Sequence, residues 1–570
     1  MIAIHVEKTA SRGIVAGNAF LLEKACLRTV FEPISEQDIP VQIKRYENAV
    51  ESAGAKLSQL AKTNQIFEAH LEMVKDIALY DSVICRIKEQ KLCAEAALEA
   101  AATEFLLIFE NMEDEYMRER AADIKDIRYR LQCELQGVKH NPFEHIEDKV
   151  ILVAKDLTPS DTIAMDLSHI LGFLTEEGGV TSHVSILARG LGLPALVGVE
   201  GITKQVKPGD FLILDAGEGR IFLHPDEETI MKYQILQEQL AGRQAELEKL
   251  KLLPATTTDG IQVQLCVNVG GVKEIRKALD YHMDGVGLFR SEFLYMHNDH
   301  FPTEEEQFLV YKEAAQVCQK ELTIRTLDIG GDKELSYYEF EKELNPFLGW
   351  RAIRISLEMQ EMFKTQLRAM LRASAFGMLR IMFPMIISLE ELRLAKQLLE
   401  ECKQELERKG IAYDSEIQVG MMIETPASIL LIEEFAREAD FFSIGTNDLT
   451  QYLLAVDRGN QKISGMYNSF HPAVLRSIQK VIRAGHQANI KVGMCGEFAS
   501  DKHAIKLLLG LGLDEFSMSA SELLNSKELI RSASFAEACS LAEKVCRQQT
   551  IQDVYDLLGM RQTGNRNDDI

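Results

Sequence analysis

A single histidine, His183, follows a glycine pair and two hydroxyl residues in the run Gly178-Gly179-Val180-Thr181-Ser182-His183-Val184-Ser185-Ile186-Leu187-Ala188-Arg189. The glycines free the backbone to turn tightly, and Ile186, Leu187 and Ala188 read as the start of a helix packed on a core. A histidine at such a loop-to-helix junction sits beside free backbone N–H groups, where an anion is favoured. That suits an imidazole that carries a phosphoryl group; the blander role for a lone histidine is to cap the helix. A second set of reactive side chains lies further along. Arg290, Arg325 and Arg458 offer forked cations, Glu424 and Asp448 hard carboxylates, Asn447 an amide and Cys495 a thiol. Arginine forks bind phosphate and carboxylate bidentately. Two carboxylates suit Mg²⁺, which keeps its other positions for substrate oxygens and water.

These residues need elements that bring them together. Eight apolar stretches followed by turn residues read as strands: Val263–Val269, Gly285–Phe289, Leu322–Leu327, Leu379–Met385, Gln418–Ile423, Phe441–Ile444, Lys491–Cys495 and Glu515–Met518. Helical patterns alternate with them, the rhythm of a (β/α)8 barrel over 255–570. A barrel of this kind works at the C-terminal ends of its strands, and the arginines, Glu424, Asn447, Asp448 and Cys495 all fall there. Taken singly, each has an ordinary explanation: a surface ion pair, a helix cap, an inert core thiol. Their convergence on one face argues for a site.

The first half reads differently. Strand-like pieces occupy 1–22. From Ala55 to Gln136 there is neither Gly nor Pro, and apolar residues such as Ile66, Phe67, His70, Leu71 and Val74 recur at helical spacing. This predicts a helical bundle over 23–142. Strand signals return at Val150–Ala154 and Phe211–Asp215, so 1–22 and 143–224 are expected to form one α/β domain with the bundle inserted. Residues 225–254 read as a linker helix between Pro225 and Pro254.

The 570 residues are too many for one core. A net charge of -24 argues against nucleic acid and for a basic protein partner. The charged opening residues do not read as a signal peptide, no apolar run is long enough for a membrane helix, and the ten cysteines show no paired spacing. A reducing cytoplasm is the expected home.

The His183 run resembles the phosphohistidine motif shared by phosphoenolpyruvate–protein phosphotransferase (enzyme I of the bacterial sugar phosphotransferase system), pyruvate phosphate dikinase and phosphoenolpyruvate synthase. The barrel half narrows this. The runs Gly285–Met296, Arg325–Lys333, Asn345–Arg351, Glu424–Pro426, Ser443–Leu449 and Gly493–Glu497 resemble the phosphoenolpyruvate-binding half of enzyme I, in that family's order. The resemblance implies phosphoenolpyruvate held by Arg290, Arg325, Asn447, Asp448 and Arg458, with Arg351 assisting the phosphate. It implies Mg²⁺, with Mn²⁺ as an alternative, on Glu424 and Asp448, and Cys495 as proton donor. It also implies His183 as phosphoryl acceptor, with Thr162 hydrogen-bonded to its imidazole. In enzyme I the helical segment docks the small histidine phosphocarrier protein HPr, and the barrel forms a homodimer. The helical segment departs from the family's usual acidic pattern at Lys75, Ile77 and Ala78, so carrier specificity is not implied.

The expected reaction passes phosphoryl from phosphoenolpyruvate to His183, then to a carrier histidine. His183 must be neutral to attack, so the rate should fall as the ring protonates near pH ~6.5. Cys495 must stay protonated, which predicts no cation paired with it. Because His183 and the barrel lie in different domains, the linker helix is the expected pivot of a swivel. Two alternatives stay open. A dikinase-like enzyme would need a nucleotide site, and no phosphate-binding loop of that type is present. A regulatory paralogue on the same fold would be expected to carry a broken site.

Overall fold

The computed structural model describes residues 1–560 apart from 7–8, 23–32, 62–65, 111–114, 139–142, 144–145, 147, 158–160, 163–164, 180–182, 297, 331–332, 334, 336 and 461. The chain divides into two compact units, 1–242 and 243–570.

The first unit contains one mixed sheet of eight strands. They are β1 (Ile2–His5), β2 (Thr9–Ser11), β3 (Ile14–Leu21), β4 (Val150–Ala154), β5 (Ile170–Thr175), β6 (Ala195–Leu196), β7 (Phe211–Asp215) and β8 (Arg220–Leu223). Their order is β1-β8-β7-β3-β4-β5-β6-β2. The parallel pairing of β3 with β4, Asn18 opposite Val150, joins segments that are far apart in sequence. Both faces of the sheet are covered: Ile151, Leu174 and Leu212 belong to one core, Leu152, Phe173 and Val184 to another.

Between β3 and β4 run α1 (Ile39–Ala61), α2 (Ile66–Val74), α3 (Ile77–Glu89), α4 (Ala94–Glu110) and α5 (Glu115–Gln136). They have a core of their own around Tyr46, Leu57, Val83, Ile87, Leu98 and Leu131. Small residues Ala94, Ala97 and Ala101 are fully buried on α4, which lets neighbouring helices pack closely. Asp76 caps α3, accepting from the backbone N–H groups of Ala78 and Leu79.

Helix α6 (His183–Leu191) follows β5, and α7 (Glu227–Glu248) follows β8. The helix expected over 225–254 is therefore shorter. Beyond Glu248 the chain tightens into turns, with Leu250 N–H donating to Leu247 and Leu253 to Leu250, ahead of Pro254. Tyr233 on α7 donates to Asp215 Oδ2 at 3.0 Å, tying the start of this helix to β7.

The second unit is a closed barrel of parallel strands. They are β9 (Gln264–Val269), β10 (Gly285–Arg290), β11 (Glu321–Arg325), β12 (Leu379–Phe383), β13 (Gln418–Ile423), β14 (Phe441–Ile444), β15 (Lys491–Met494) and β16 (Glu515–Met518), with β16 pairing back to β9. The interior is layered. At the N-terminal ends Arg380 pairs with Glu515 (3.0 Å) and Glu321 (3.3 Å), and Lys491 with Glu321 (2.9 Å) and Glu515 (3.2 Å). Above this lies an apolar layer of Leu288, Met382, Met422 and Phe441, with Cys495 at its edge. Gly287 lets this interior close: a Cβ there would lie 2.5 Å from Ser517 Oγ. Chemistry is left to the C-terminal rim. Among the described residues, no helix is long and apolar enough to cross a membrane.

Candidate active site

Arg290, Arg325, Arg351, Glu424, Asn447, Asp448, Arg458 and Cys495 all line one cavity of about 520 Å³ at the C-terminal ends of the barrel strands. Another cavity, at the opposite end, is lined by Gln264, His486, Lys491 and Asp514. It lacks the convergent arginines and buried carboxylate pair that the rim cavity brings together.

Each rim residue is placed by its element. Arg290 and Arg325 end β10 and β11, Glu424 follows β13 directly, and Cys495 follows β15. Asn447 and Asp448 lie in the first turn of α9 (Thr446–Leu454), the helix after β14, whereas Arg458 sits exposed beyond its end. Arg351 precedes α8 (Ile353–Glu358), whose first flanking residue, the fully buried Ala352, has φ +54°. Left-handed backbone is unfavourable for alanine, and such strain concentrates where a site must be held in shape. Ala352 N–H donates to Ile329, fixing the peptide next to Arg351.

The charges form a chain. Arg325 Nη2 reaches Glu292 Oε1 at 2.7 Å and Asp328 Oδ2 at 2.9 Å. Arg351 Nη2 reaches Asp328 Oδ1 at 2.9 Å and Asp448 Oδ2 at 3.5 Å, and its Nη1 donates to Tyr452. Lys333 adds contacts to Glu292 (3.0 Å) and Asp328 (3.5 Å). Burial works against the Asp328 carboxylate, but Arg325, Arg351 and Lys333 outweigh it and hold this group well below the usual range. Glu424 goes the other way: burial, then repulsion from Asp448 and Asp328, pushes it up to about 8. Its Oε1 accepts from Met385 N–H at 2.6 Å, and Met385 has φ +58°.

Polar atoms of both signs are buried here without a protein partner: the Nε groups of Arg290, Arg325 and Arg351, and the oxygens Asp448 Oδ1 and Glu292 Oε2. Buried polar groups are normally satisfied, so this set calls for a ligand. The guanidinium donors suit an anion. The mutually repelling Glu424 and Asp448, with an orphaned oxygen, suit a hard divalent cation that takes few protein carboxylates. Among the described residues there is no cluster of three or more His, Cys, Asp or Glu that would make a closed metal cage.

Cys495 is buried, and burial pushes its thiol up to about 11. A hydrogen bond with Ser443 and the nearby charge of Arg325 pull down without prevailing. The sequence predicts no cation paired with this thiol, and among the described residues no ion pair or hydrogen bond joins one to it. Arg325 is close enough to be felt, and desolvation still keeps the proton on.

His183 is the first residue of α6, after Gly178 with φ +102°. Ser185 Oγ donates to Gly179 O at 2.7 Å, fastening the first helical turn to the glycine pair. Residues 180–182 and the His183 side chain lie outside the described residues. Thr162 is buried in a short helical turn; its relation to the imidazole also falls outside them.

Comparison with known proteins follows the same division. The family described as PEP-utilising enzyme, N-terminal, matches 8–120; the mobile domain of PEP-utilising enzymes matches 146–219; their PEP-binding domain matches 244–535. A phosphoenolpyruvate-protein phosphotransferase of Mycoplasma capricolum is 43% identical over 558 residues, covering 96% of this chain and 97% of the relative. One of Listeria monocytogenes is 44% identical over 559 residues, with 96% and 97% covered. The chain belongs to the phosphoenolpyruvate-protein phosphotransferase family. A solution NMR structure of an Enzyme I protein covers 42% of this chain and 100% of its own, at 35% identity and a TM-score of 0.38.

Sequence reasoning assigned no role to Glu292, Asp328 or Lys333 in this phosphotransferase-family site, although all three stand inside the motifs it quoted. Their function is to hold other charges, and that becomes visible only when the strand ends are brought together. Asn268, also on the cavity wall, was not singled out at all.

Proposed function

We propose that the chain takes the phosphoryl group of phosphoenolpyruvate onto His183 and passes it to a histidine of the small phosphocarrier protein HPr, the first step of the phosphoenolpyruvate-dependent sugar phosphotransferase system. The observation that carries this reading is the meeting of orphaned arginine donors, a repelling carboxylate pair and a protonated buried thiol in one cavity. An anion with phosphate and carboxylate ends uses the first, and an enolate in need of a proton uses the last.

Arg290, Arg325 and Arg458 bind and orient the phosphate and carboxylate, with Arg351 and Asn447 completing the grip. Glu424 and Asp448 would hold Mg²⁺ or Mn²⁺, which when bound offsets charge on the phosphate and enolate oxygens. The neutral ring of His183 attacks phosphorus: an N–P bond forms as the bridging P–O bond breaks. The enolate left behind takes the Cys495 proton at its methylene carbon and becomes pyruvate, and the thiolate regains a proton from solvent. Apolar Leu288 and Met422 keep water from the enolate.

The sheet formed by 1–22 and 143–224 carries His183, the helices of 23–142 receive the carrier, 225–254 links, and 255–570 binds phosphoenolpyruvate and forms a homodimer. The exposed Ile77 (76%), adjoining Asp76 in sequence, and the exposed acids Glu72 and Asp81 support a carrier that offers apolar and basic groups. A cytoplasmic enzyme fits the free thiols of the buried Cys133, Cys266, Cys318, Cys402, Cys495 and Cys546. The test is incubation with phosphoenolpyruvate labelled at phosphorus, Mg²⁺ and purified HPr. Label should pass through the chain to the carrier; pyruvate formation with no labelled protein would reject the reading.

A further inference from the structure

The Cys495 thiol is only as good a proton donor as its position allows, and little of the sheet holds it. Strand β15 ends at Met494, and its pairing with β16 stops at Met494 opposite Phe516. On one side the Cys495 N–H still reaches Ile444 O of β14 at 3.2 Å. On the other side the ladder has run out, and the Cys495 carbonyl is met by a side chain from beyond β16. Asn268 Nδ2, on β9, donates to Cys495 O at 2.8 Å and to Ser517 O at 3.3 Å. Ser517 Oγ donates back to Asn268 Oδ1 at 2.7 Å. The two carbonyls fix the amide's orientation, because only its nitrogen can donate to them, and the amide oxygen is left to accept from the hydroxyl. The next residue, Gly496, has no room for a side chain: a Cβ would fall 1.8 Å from Thr446 Oγ1.

We propose that Asn268 is a positioning residue for proton transfer, replacing the missing ladder bond and aiming the Cys495 thiol at one face of the enolate. This rests on the reading of Cys495 as the donor. In the step concerned, the S–H bond breaks, its proton joins the methylene carbon using the enolate π pair, the enolate oxygen becomes the pyruvate carbonyl, and the thiolate is reprotonated by water. If the thiol is misaimed, the enol escapes and ketonises in solution without facial preference.

The experiment uses the full-length protein with His183 intact, Mg²⁺ and HPr. Phosphoenolpyruvate carrying tritium in one geometric position at C3 is turned over in D₂O, and the configuration of the pyruvate methyl group is measured beside kcat and KM. The unaltered protein should give one configuration. Asn268→Ala should lower kcat by roughly 10- to 100-fold, the scale of a misplaced catalytic group, with KM little changed and the methyl configuration lost. Ser517→Ala, which removes the hydroxyl anchor of the amide oxygen and keeps the two carbonyls, should move both readouts the same way by less, and it answers the question if Asn268→Ala does not fold. Folded variants that keep both rate and configuration overturn the proposal. Cys495→Ala separates the two claims. If it loses configuration while Asn268→Ala and Ser517→Ala keep it, Asn268 alone is misassigned; if it keeps configuration, the thiol is not the donor and both readings fall.

Discussion

Asp328 Oδ1 receives Arg351 Nη2 at 2.9 Å while its second oxygen is held by Arg325, so one buried carboxylate keeps two arginines side by side. Without it, two guanidinium groups would face each other in low dielectric. Asp328→Asn should lower stability by about 3–5 kcal/mol, the usual result of breaking a buried ion pair from one side. Added inorganic phosphate should recover more of the melting temperature in this variant than in the parent. An unchanged melting temperature without phosphate would mean Asp328 does not hold the pair together.

Glu424 titrates in the folded protein near pH 8, above its ordinary value of 4.5. Between those pH values the folded chain binds the proton more tightly than the unfolded chain does. This group's stabilising contribution is therefore complete below pH 4.5 and is lost as pH rises through about 8. Glu424→Gln should remove that slope, measured as melting temperature against pH in the presence of chelator, and should abolish stabilisation by Mg²⁺. A variant that still melts higher with added Mg²⁺ places the metal elsewhere.

The buried Cys495 thiol, raised to about 11, should be a poor nucleophile at neutral pH. Its alkylation by iodoacetamide, followed by mass spectrometry, should accelerate about tenfold per pH unit from pH 7 to 10 as the thiolate fraction grows. A rate that levels off below pH 9 would show a stabilised thiolate and count against a donor role.

Labelled phosphoenolpyruvate should place phosphate on the chain at one acid-labile, base-stable site, and His183→Ala should remove it with no change in circular dichroism. Stoichiometric labelling of that variant would move the acceptor elsewhere.

Residues 255–570 contain the closed barrel and all eight rim residues read from the sequence. Expressed alone, they should fold, bind phosphoenolpyruvate by calorimetry and sediment as a dimer, yet fail to phosphorylate HPr. A folded fragment that is monomeric with ligand at tens of micromolar would remove dimerisation from the barrel.

The eight barrel strands were legible because buried parallel strands read as continuous apolar runs. Four of the expected ends, Val269, Ile423, Ile444 and Met518, are the observed ones, and three of the misplaced ends fall at the cavity. The strand expected to reach Leu327 ends at Arg325, because Leu327 N–H is taken by the side chain of Gln366. The one expected to reach Met385 ends at Phe383, because Met385 turns left-handed and gives its N–H to Glu424. The one expected to include Cys495 stops at Met494, where Asn268 takes over. In each case a side chain replaces a ladder bond, and no local pattern announces it. The individual site residues were legible as motifs; the acids that restrain the arginines were not, since pairing is a property of assembled strand ends.

The ionic layer of Arg380, Glu515, Lys491 and Glu321 fills the barrel from below, and the methionines and Phe441 seal it above. The rim is therefore a doorway with no back exit. On the proposed reading, pyruvate leaves by the same mouth through which phosphoenolpyruvate enters. Substrate and product then share one opening, and a cavity that still holds pyruvate has no second door through which to load.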